Sequence, residues 1–333
     1  MPGLRLICLG LTEAWKTQAV YHAVAELMTE ESPDTIILCR PAAPYLCLGY
    51  HQLFEGVFDA SACDRMSLPV YRRKIGGGGT LLDSGQLFYQ CVFHRSRVPA
   101  RTDRLFAMML DPPVALLRQL GLDAHLHDVN EISVGRRRIA GTGGGALGDA
   151  VVVVGNILGS FPFEWLPVLW RGTDDPGFRE IAGVALRAHL TTLEEQSLQF
   201  TFEELESLLI EHYRESLSAP LVAEDLTPAE WEAACNAREE LTSDEFLHSL
   251  PCEYANASSD RPLKIASGVF LHTETAHTRG GVIHATLLVE EGIITASSLR
   301  LEGSADSRIV ERKLHGLRVE RWREAVDTAL EAA

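Results

Sequence analysis

Nine consecutive residues carry the strongest chemical signal in the sequence: Arg72, Arg73, Lys74, Ile75, Gly76, Gly77, Gly78, Gly79 and Thr80, three positive charges followed closely by four glycines. Glycines remove the side chains that block close approach and free backbone N–H groups to point at anionic oxygens. An arginine fork matches the geometry of phosphate or carboxylate. In a chain of formal net charge -16, cations placed directly before glycines weigh against a merely flexible surface loop. The run has no GK[ST] and so is not a P-loop, and it does not open a helix as a GxGxxG dinucleotide fingerprint does. It predicts an anion site of another kind.

A second constellation follows: Asn130-Glu131-Ile132, then Gly135-Arg136-Arg137-Arg138-Ile139-Ala140-Gly141. Taken alone, Asn130 and Glu131 read as a solvated strand end, and the neighbouring glycine motifs make them candidates for binding. Seven cysteines (Cys8, Cys39, Cys47, Cys63, Cys91, Cys235 and Cys252) are odd in number, scattered and never spaced CxxC; the 12 histidines form no HxxxH or HxH pair. Neither a disulfide framework nor a metal site made of protein ligands alone is expected.

These residues need elements to hold them. Residues 14–28 place Val20, Val24, Leu27 and Met28 at helical spacing, and residues 34–39, 45–49, 68–73 and 86–93 are β-rich runs bounded by turn residues. A helical stretch over residues 102–120 must kink or restart at Pro112-Pro113. Residues 130–145 read as a hairpin turning near Gly135, and residues 150–158 as a buried strand. Thr201 with Glu204, and Thr227 with Glu230 after Pro228, are capping boxes that start two further helices. Beyond the loop at residues 255–260 the pattern becomes a hairpin turning at Glu290-Glu291-Gly292, then helical sequence at 305–315 and 319–330. Mixed elements without strict alternation predict an α+β fold in two unequal domains, residues 1–255 and 256–333.

With 333 residues, 46% of them hydrophobic, the chain can bury a substantial core. Its acidic balance excludes a phosphate-backbone binder, so no nucleic-acid partner is expected, nor an anionic membrane. No stretch approaches the roughly 18 apolar residues of a membrane span, and the first residues lack a signal-peptide core. A cytoplasmic location is expected.

The glycine run resembles the RRxxGGGxVxHD signature of lipoate-protein ligases, with Arg72, Arg73, Gly76, Gly77, Gly78 and Asp83 in register and Leu82 where the family has histidine. The second constellation resembles the family's NDL...GxKISG element, with Glu131 at the family aspartate and Arg138 at the family lysine. CLGYHQ at residues 47–52 is similar to IGxxQ, GNIL at 155–158 to HGTLL, RAHLTTL at 187–193 to SRVTNL, and the residues from Lys264 onward to the accessory domain of full-length ligases. The resemblance implies a catalytic sheet of the class II aminoacyl-tRNA-synthetase-like, biotinyl/lipoyl ligase type with packed helices, plus a small α+β C-terminal accessory domain. It implies ATP and Mg2+ as cofactors, lipoate or octanoate as substrate, and a lysine of a small lipoyl carrier domain, H protein-like or dedicated, as acceptor.

By the same resemblance Arg73, Gly76, Gly77, Gly78, Gly79, Thr80, Asp83, Asn130, Glu131, Gly155 and Asn156 bind the nucleotide, Glu131 also meeting the metal. Gly49, His51, Gln52 and Gly141 line the acyl pocket; Arg138, Arg72 and Lys74 carry the chemistry. At the lysine position an arginine keeps the charge and adds donors, but its planar fork is bulkier. Either Arg138 holds phosphate in a rearranged way, or Lys74 supplies the ammonium, or activation is lost. Two rivals stand beside the ligase: an octanoyl or lipoyl transferase working through a cysteine thioester, which needs a reachable activated thiol, and a catalytically silent homologue that binds lipoyl groups or carrier proteins. Biotin ligase fits the paired Arg72-Arg73 less well.

Overall fold

A computed structural model describes residues 4–249, 261–278, 281–301 and 308–331. They form two compact units: residues 4–54, 67–161 and 191–249 make the first, and residues 55–66 and 162–190 join the described residues from 261 onward in the second.

The first unit is built on an eight-stranded sheet in the order β11-β1-β2-β6-β10-β9-β8-β7. Its strands are β1 (Leu4–Thr12), β2 (Asp34–Pro41), β6 (Gln86–His94), β7 (Ala124–His127), β8 (Glu131–Val134), β9 (Arg137–Leu147), β10 (Ala150–Leu158) and β11 (Leu221–Ala223). Strands β11, β1 and β2 run parallel, and every pairing from β2 to β7 is antiparallel. Strand β6 is buried along its whole length because both faces of the sheet are covered. By strand alternation Leu87, Tyr89, Cys91 and Phe93 enter one core, closed by α4 (Thr102–Gln119) and α7 (Phe202–Ser216). Phe88 and Val92 enter the opposite core, under α1 (Lys16–Glu26) and α8 (Pro228–Leu241).

A second layer lies on this latter side. Strands β3 (Tyr45–Leu48), β4 (Val70–Arg72) and β5 (Thr80–Leu82) form a three-stranded sheet ordered β4-β3-β5, and Tyr45 and Cys47 share the α1 core. The glycine run is therefore the connection from β4 to β5. A five-residue helix, α9 (Asp244–His248), follows α8.

Both capping boxes are present, Thr201 with Glu204 and Thr227 with Glu230. Of the two outcomes expected at Pro112-Pro113, a kink or a restart, the restart does not occur: α4 is continuous from Thr102 to Gln119. Pro113 has no N–H for the Met109 carbonyl, and the Tyr213 hydroxyl, arriving from α7, donates to that oxygen at 3.1 Å. Burial of both proline rings in the apolar core offsets the remaining loss.

The second unit holds the antiparallel sheet β12-β13-β14-β15, formed by β12 (Leu263–Ala266), β13 (Val269–Thr278), β14 (Gly281–Glu290) and β15 (Ile293–Leu301). Glu291 and Gly292 both adopt positive φ at the β14–β15 turn, the tight hairpin expected there. Helices α10 (Arg308–Leu314) and α11 (Trp322–Glu331) pack Val310, Leu314, Trp322 and Val326 on the sheet. Helix α6 (Pro176–His189) also meets it: His189 Nε2 stands 3.5 Å from Glu290. Three further short helices are α2 (Phe54–Val57), α3 (Ala60–Arg65) and α5 (Leu166–Leu169). No helix among the described residues is long and apolar enough to cross a membrane.

Candidate active site

The β4–β5 glycine turn rests on a strip of bare backbone. Gly76 N donates to Gly144 O of β9 at 3.1 Å, and a Cβ on Gly143 would fall 2.6 Å from Gly76 O. A Cβ on Gly49 would fall 1.9 Å from Gly77 O. Side chains at these positions would push the turn off the sheet, which is the physical reason for glycine here. Gly143, Gly144 and Gly145 were not singled out in the sequence, although a glycine cluster inside a strand pattern is itself a signal of close backbone approach.

Arg73 organises the turn from inside. Its Nε donates to Gly76 O at 3.1 Å, Nη2 to Gly78 O at 2.8 Å and Nη1 to Cys47 Sγ at 3.3 Å. Gly77 adopts φ +118°, and a Cβ there would meet Arg73 Nη2 at 2.2 Å. The tip, Gly77 and Gly78, is exposed. Gly79 precedes Thr80, whose hydroxyl donates to Leu81 O at 3.4 Å opposite Cys47.

Beside this turn the sheet brings together the second constellation. Glu131 opens β8 opposite Gly141 of β9, which lies opposite Asn156 of β10 and, one strand further, Phe88 of β6. These residues share the face that carries the glycine turn. Glu131 is 3% exposed, and Arg138 Nη1 meets its carboxylate at 3.5 Å. Arg138 Nε is buried with no hydrogen-bond partner. A Cβ on Gly141 would reach only ordinary contact, 3.9 Å from Arg138 Cζ and Nε and 3.8 Å from Asn156 Oδ1. The floor of the site therefore has, at Gly141, a position that a small group could take without a clash, next to an unsatisfied guanidinium N–H.

A chain of amides fixes this floor. Asn156 Oδ1 accepts from Gly141 N at 3.4 Å and its Nδ2 donates to Gln86 Oε1 at 2.5 Å; Gln86 Nε2 donates to Leu81 O at 3.2 Å and Asp83 Oδ1 at 3.1 Å. Burial pushes the Asp83 carboxyl above its ordinary value, against the Gly85 and Gln86 donors. Asn130 Nδ2 donates to Thr142 O at 3.1 Å. Gly155 is glycine for a packing reason, since a Cβ there would strike the Tyr89 hydroxyl at 2.3 Å and its ring at 2.4 Å. Gln86, fully buried, was missed in the sequence because its amide carries no charge or spacing signal.

Arg72 and Lys74 point elsewhere. Arg72 is fully buried, and its guanidinium donates to the carbonyls of Phe246, at 2.5 Å, and of Ser249 and Tyr50. Lys74 Nζ lies 2.7 Å from both Glu26 of α1 and Glu240 of α8. Its backbone N–H donates to His22 Nε2 at 3.0 Å; burial pushes that imidazole down to about 3, so it stays neutral and can accept. On the Gly49 side, Gly49 N donates to Gln52 Oε1 at 3.4 Å and Gln52 N to Gly49 O at 3.1 Å, with His51 edge-on to Tyr50 at 5.1 Å.

Three of the described cysteines, Cys47, Cys91 and Cys8, do not resemble activated thiols. Cys47 is fully buried, and burial pushes its thiol up although Arg73 stands beside it; Cys91, beside Tyr213, is pushed up to about 12. Exposed Cys8 is likewise raised to about 12 by partial burial and by Glu206. No group of three or more His, Cys, Asp or Glu among the described residues could hold a metal ion.

A two-glycine-run platform, with a carboxylate–guanidinium pair on the adjoining strands of a mixed sheet, matches one family by sequence. Residues 13–214 fit the model of the lipoyl protein ligase A/B catalytic domain, more than half of the chain, and the protein belongs to this family. Among solved structures it is similar to a bipartite lipoate protein ligase of Thermoplasma acidophilum, described with its E2 lipoyl domain (TM-score 0.69, 20% identity, 75% of this chain and 98% of that one). A lipoate-protein ligase A bound with ATP is also similar (TM-score 0.63, 22% identity, 75% and 100%). So is P. falciparum LipL1 in complex with lipoate (TM-score 0.59, 13% identity, 99% and 100%). A search of curated proteins finds no match.

Proposed function

We propose that the protein is an ATP-dependent lipoate-protein ligase, which converts lipoate or octanoate to an acyl-adenylate and passes the acyl group to a lysine of a lipoyl carrier domain. The observation that carries this reading is Arg138: a cation on the floor of a backbone-walled site, with a buried Nε that no protein atom satisfies. A buried donor left unmade is costly, and a phosphate or acyl oxygen over Gly141 would satisfy it.

In the first half-reaction the fatty-acid carboxylate attacks the α-phosphorus of ATP and pyrophosphate leaves. Arg138, together with backbone N–H groups of the glycine turn, stabilises the charge that builds on the phosphate oxygens. Arg73 contributes by holding the turn in shape. In the second half-reaction the neutral lysine amine attacks the acyl carbonyl, the acyl–phosphate bond breaks, AMP departs, and the nitrogen gives up one proton to solvent as the amide forms. Glu131 is suited to meet Mg2+ arriving on the phosphates, since that ion is usually held by one or two carboxylates plus substrate oxygens; bound there it would neutralise phosphate charge.

The carrier and ATP assignments draw support from the relatives described with an E2 lipoyl domain, with ATP and with lipoate. The raised thiols count against a thioester route. Incubating the protein with ATP, Mg2+ and octanoate or lipoate should yield an acyl-adenylate detectable by mass spectrometry, and adding a lipoyl domain should shift that domain by one acyl mass. A stable acyl mass on the enzyme itself would favour the transferase, and no acyl species at all would favour the silent homologue.

A further inference from the structure

Arg72 is the most deeply buried cation near the site, yet it forms no ion pair among the described residues. Its partners are neutral backbone carbonyls from two distant segments: Tyr50 in the turn after β3, and Phe246 and Ser249 in and just after α9. The guanidinium also lies 5.8 Å from the Tyr50 ring centre and 5.1 Å from that of Phe246. Aromatic contacts repeat the same bridge, Tyr50 with Phe246 at 6.5 Å and Phe54 with His248 at 5.3 Å. Helix α9 thus lies across residues 50–54, the turn that carries His51 and Gln52 and that starts at Gly49.

Burying a guanidinium with no counter-charge among the described residues is expensive. A surface cation could cap a five-residue helix at far lower cost, so simple helix capping does not account for a fully buried Arg72. Joining the helix to the turn does: a single planar fork reaches three carbonyls that otherwise lie at the end of one element and in the bend of another. Arg72 Nε stays without a partner, so the fork's orientation follows those carbonyls.

We propose that α9 is a strap across the acyl-binding turn and that Arg72 is the positioning residue that fastens it. This rests on the reading above only in naming the turn's ligand as the acyl chain. The strap forms the outer wall against which the acyl chain packs; Arg72 therefore acts on acyl affinity, and the rate at saturating acid is left to Arg138.

Backbone amide exchange of residues 50–54 and 244–249, calorimetric binding of octanoate and lipoate, and adenylation kinetics on the full chain test this. Arg72→Ala should exchange at least about tenfold faster in both segments and bind the acids at least about tenfold more weakly, the loss typical of charge-assisted hydrogen bonds. Its adenylation rate at saturating acid should change less than about twofold. Arg72→Lys should recover part of each loss. Ser243→Ala removes the side chain that caps α9 by accepting from Phe246 N at 3.2 Å and leaves Arg72 in place; it should move exchange and affinity in the same direction by less. Unchanged exchange of 244–249 in Arg72→Ala would overturn the proposal, as would a collapse of the saturated rate with acyl affinity intact. Should Arg72→Ala not fold, unchanged exchange of 50–54 in Ser243→Ala would overturn it. If the wild type binds neither acid, the acyl reading of the site fails; exchange of the two segments that still rises together would then show that the fastening survives the loss of its ligand assignment.

Discussion

The three cations at the end of β4 and Arg138 of β9 flank the same glycines, but they are held differently. Arg72 joins backbone carbonyls of two segments, Arg73 is wrapped by the carbonyls of its own turn, and Lys74 is clamped between two carboxylates. Arg138 has an ion pair at 3.5 Å and a buried, unsatisfied Nε. Of the two runs of three positive charges, the one that closes β4 therefore builds the turn, and Arg138, the last of the other, is the cation whose unsatisfied N–H lies beside Gly141 on the floor. Charge density along a sequence reports where cations are needed; the partners they already have decide whether the need is architectural or chemical.

The largest test of this contrast is on the framework. A Cβ at Gly49 would meet the carbonyl of Gly77, a backbone atom with no rotamer to yield, so Gly49→Ala should displace the turn together with the Arg73 clamp inside it. Adenylate formation should be lost and the urea midpoint should fall by the equivalent of about 3 kcal/mol. Gly78→Ala is the matched control, because nothing stands within 4 Å of its Cβ position; it should retain both activity and stability. Equal activity of the two variants would break the claim that the turn is set by close backbone packing.

Next in size is Arg138. Arg138→Ala should slow adenylate formation about a hundredfold, on the order of 3 kcal/mol, as for other donors aimed at developing charge. Thermal stability should hardly change, because the side chain is partly exposed and its ion pair is long. Arg138→Lys should restore part of the rate, an ammonium being compact enough for the same opening. Full activity in Arg138→Ala would return the phosphate to another cation.

Much of this was legible before any coordinates. The capping boxes at Thr201 and Thr227 announce α7 and α8 because a cap is a local, four-residue device, and β6 and β10 announce themselves as long apolar runs. Strand β1 and the three-residue β11 are held by parallel pairing to partners far along the chain, which leaves no local signature. Helix α4 survives two prolines through a hydroxyl 104 residues away. The candidate site divides in the same manner. Its glycines, Glu131 and Arg138 were visible one by one, since each depends on residue type; the ion pair between the last two and the fates of Arg72 and Lys74 were not, since Arg72 meets Ser249 across 177 positions and Lys74 meets Glu26 across 48.

The smallest expected effect is at Lys74, and it is the one that most sharpens the contrast with Arg138. Lys74→Met removes an ammonium from between Glu26 and Glu240, whose side chains are 38% and 50% exposed; pairs so open to water contribute up to about 1 kcal/mol. The glycine turn should not move, because its tie to α1 runs through the Lys74 backbone N–H and His22, which the substitution leaves in place. Adenylation should therefore stay within about twofold of wild type, where loss of a transition-state contact would cost far more. The stability difference has a defined pH dependence. Burial lowers the Lys74 pKa, but hydrogen bonds and charge from Glu240 and Glu26 outweigh it and leave the group above its ordinary value. A raised pKa in the folded state means that the stabilisation is complete below the unfolded value of about 10.4 and disappears as pH rises through the folded one. Urea midpoints of wild type and Lys74→Met should thus differ by a constant small amount from pH 6 to pH 9, converge at higher pH, and converge at neutral pH in about 1 M salt, where the screening length shrinks to roughly 3 Å. A hundredfold fall in adenylation, with stability unchanged, would instead identify Lys74 as the cation that meets the phosphate.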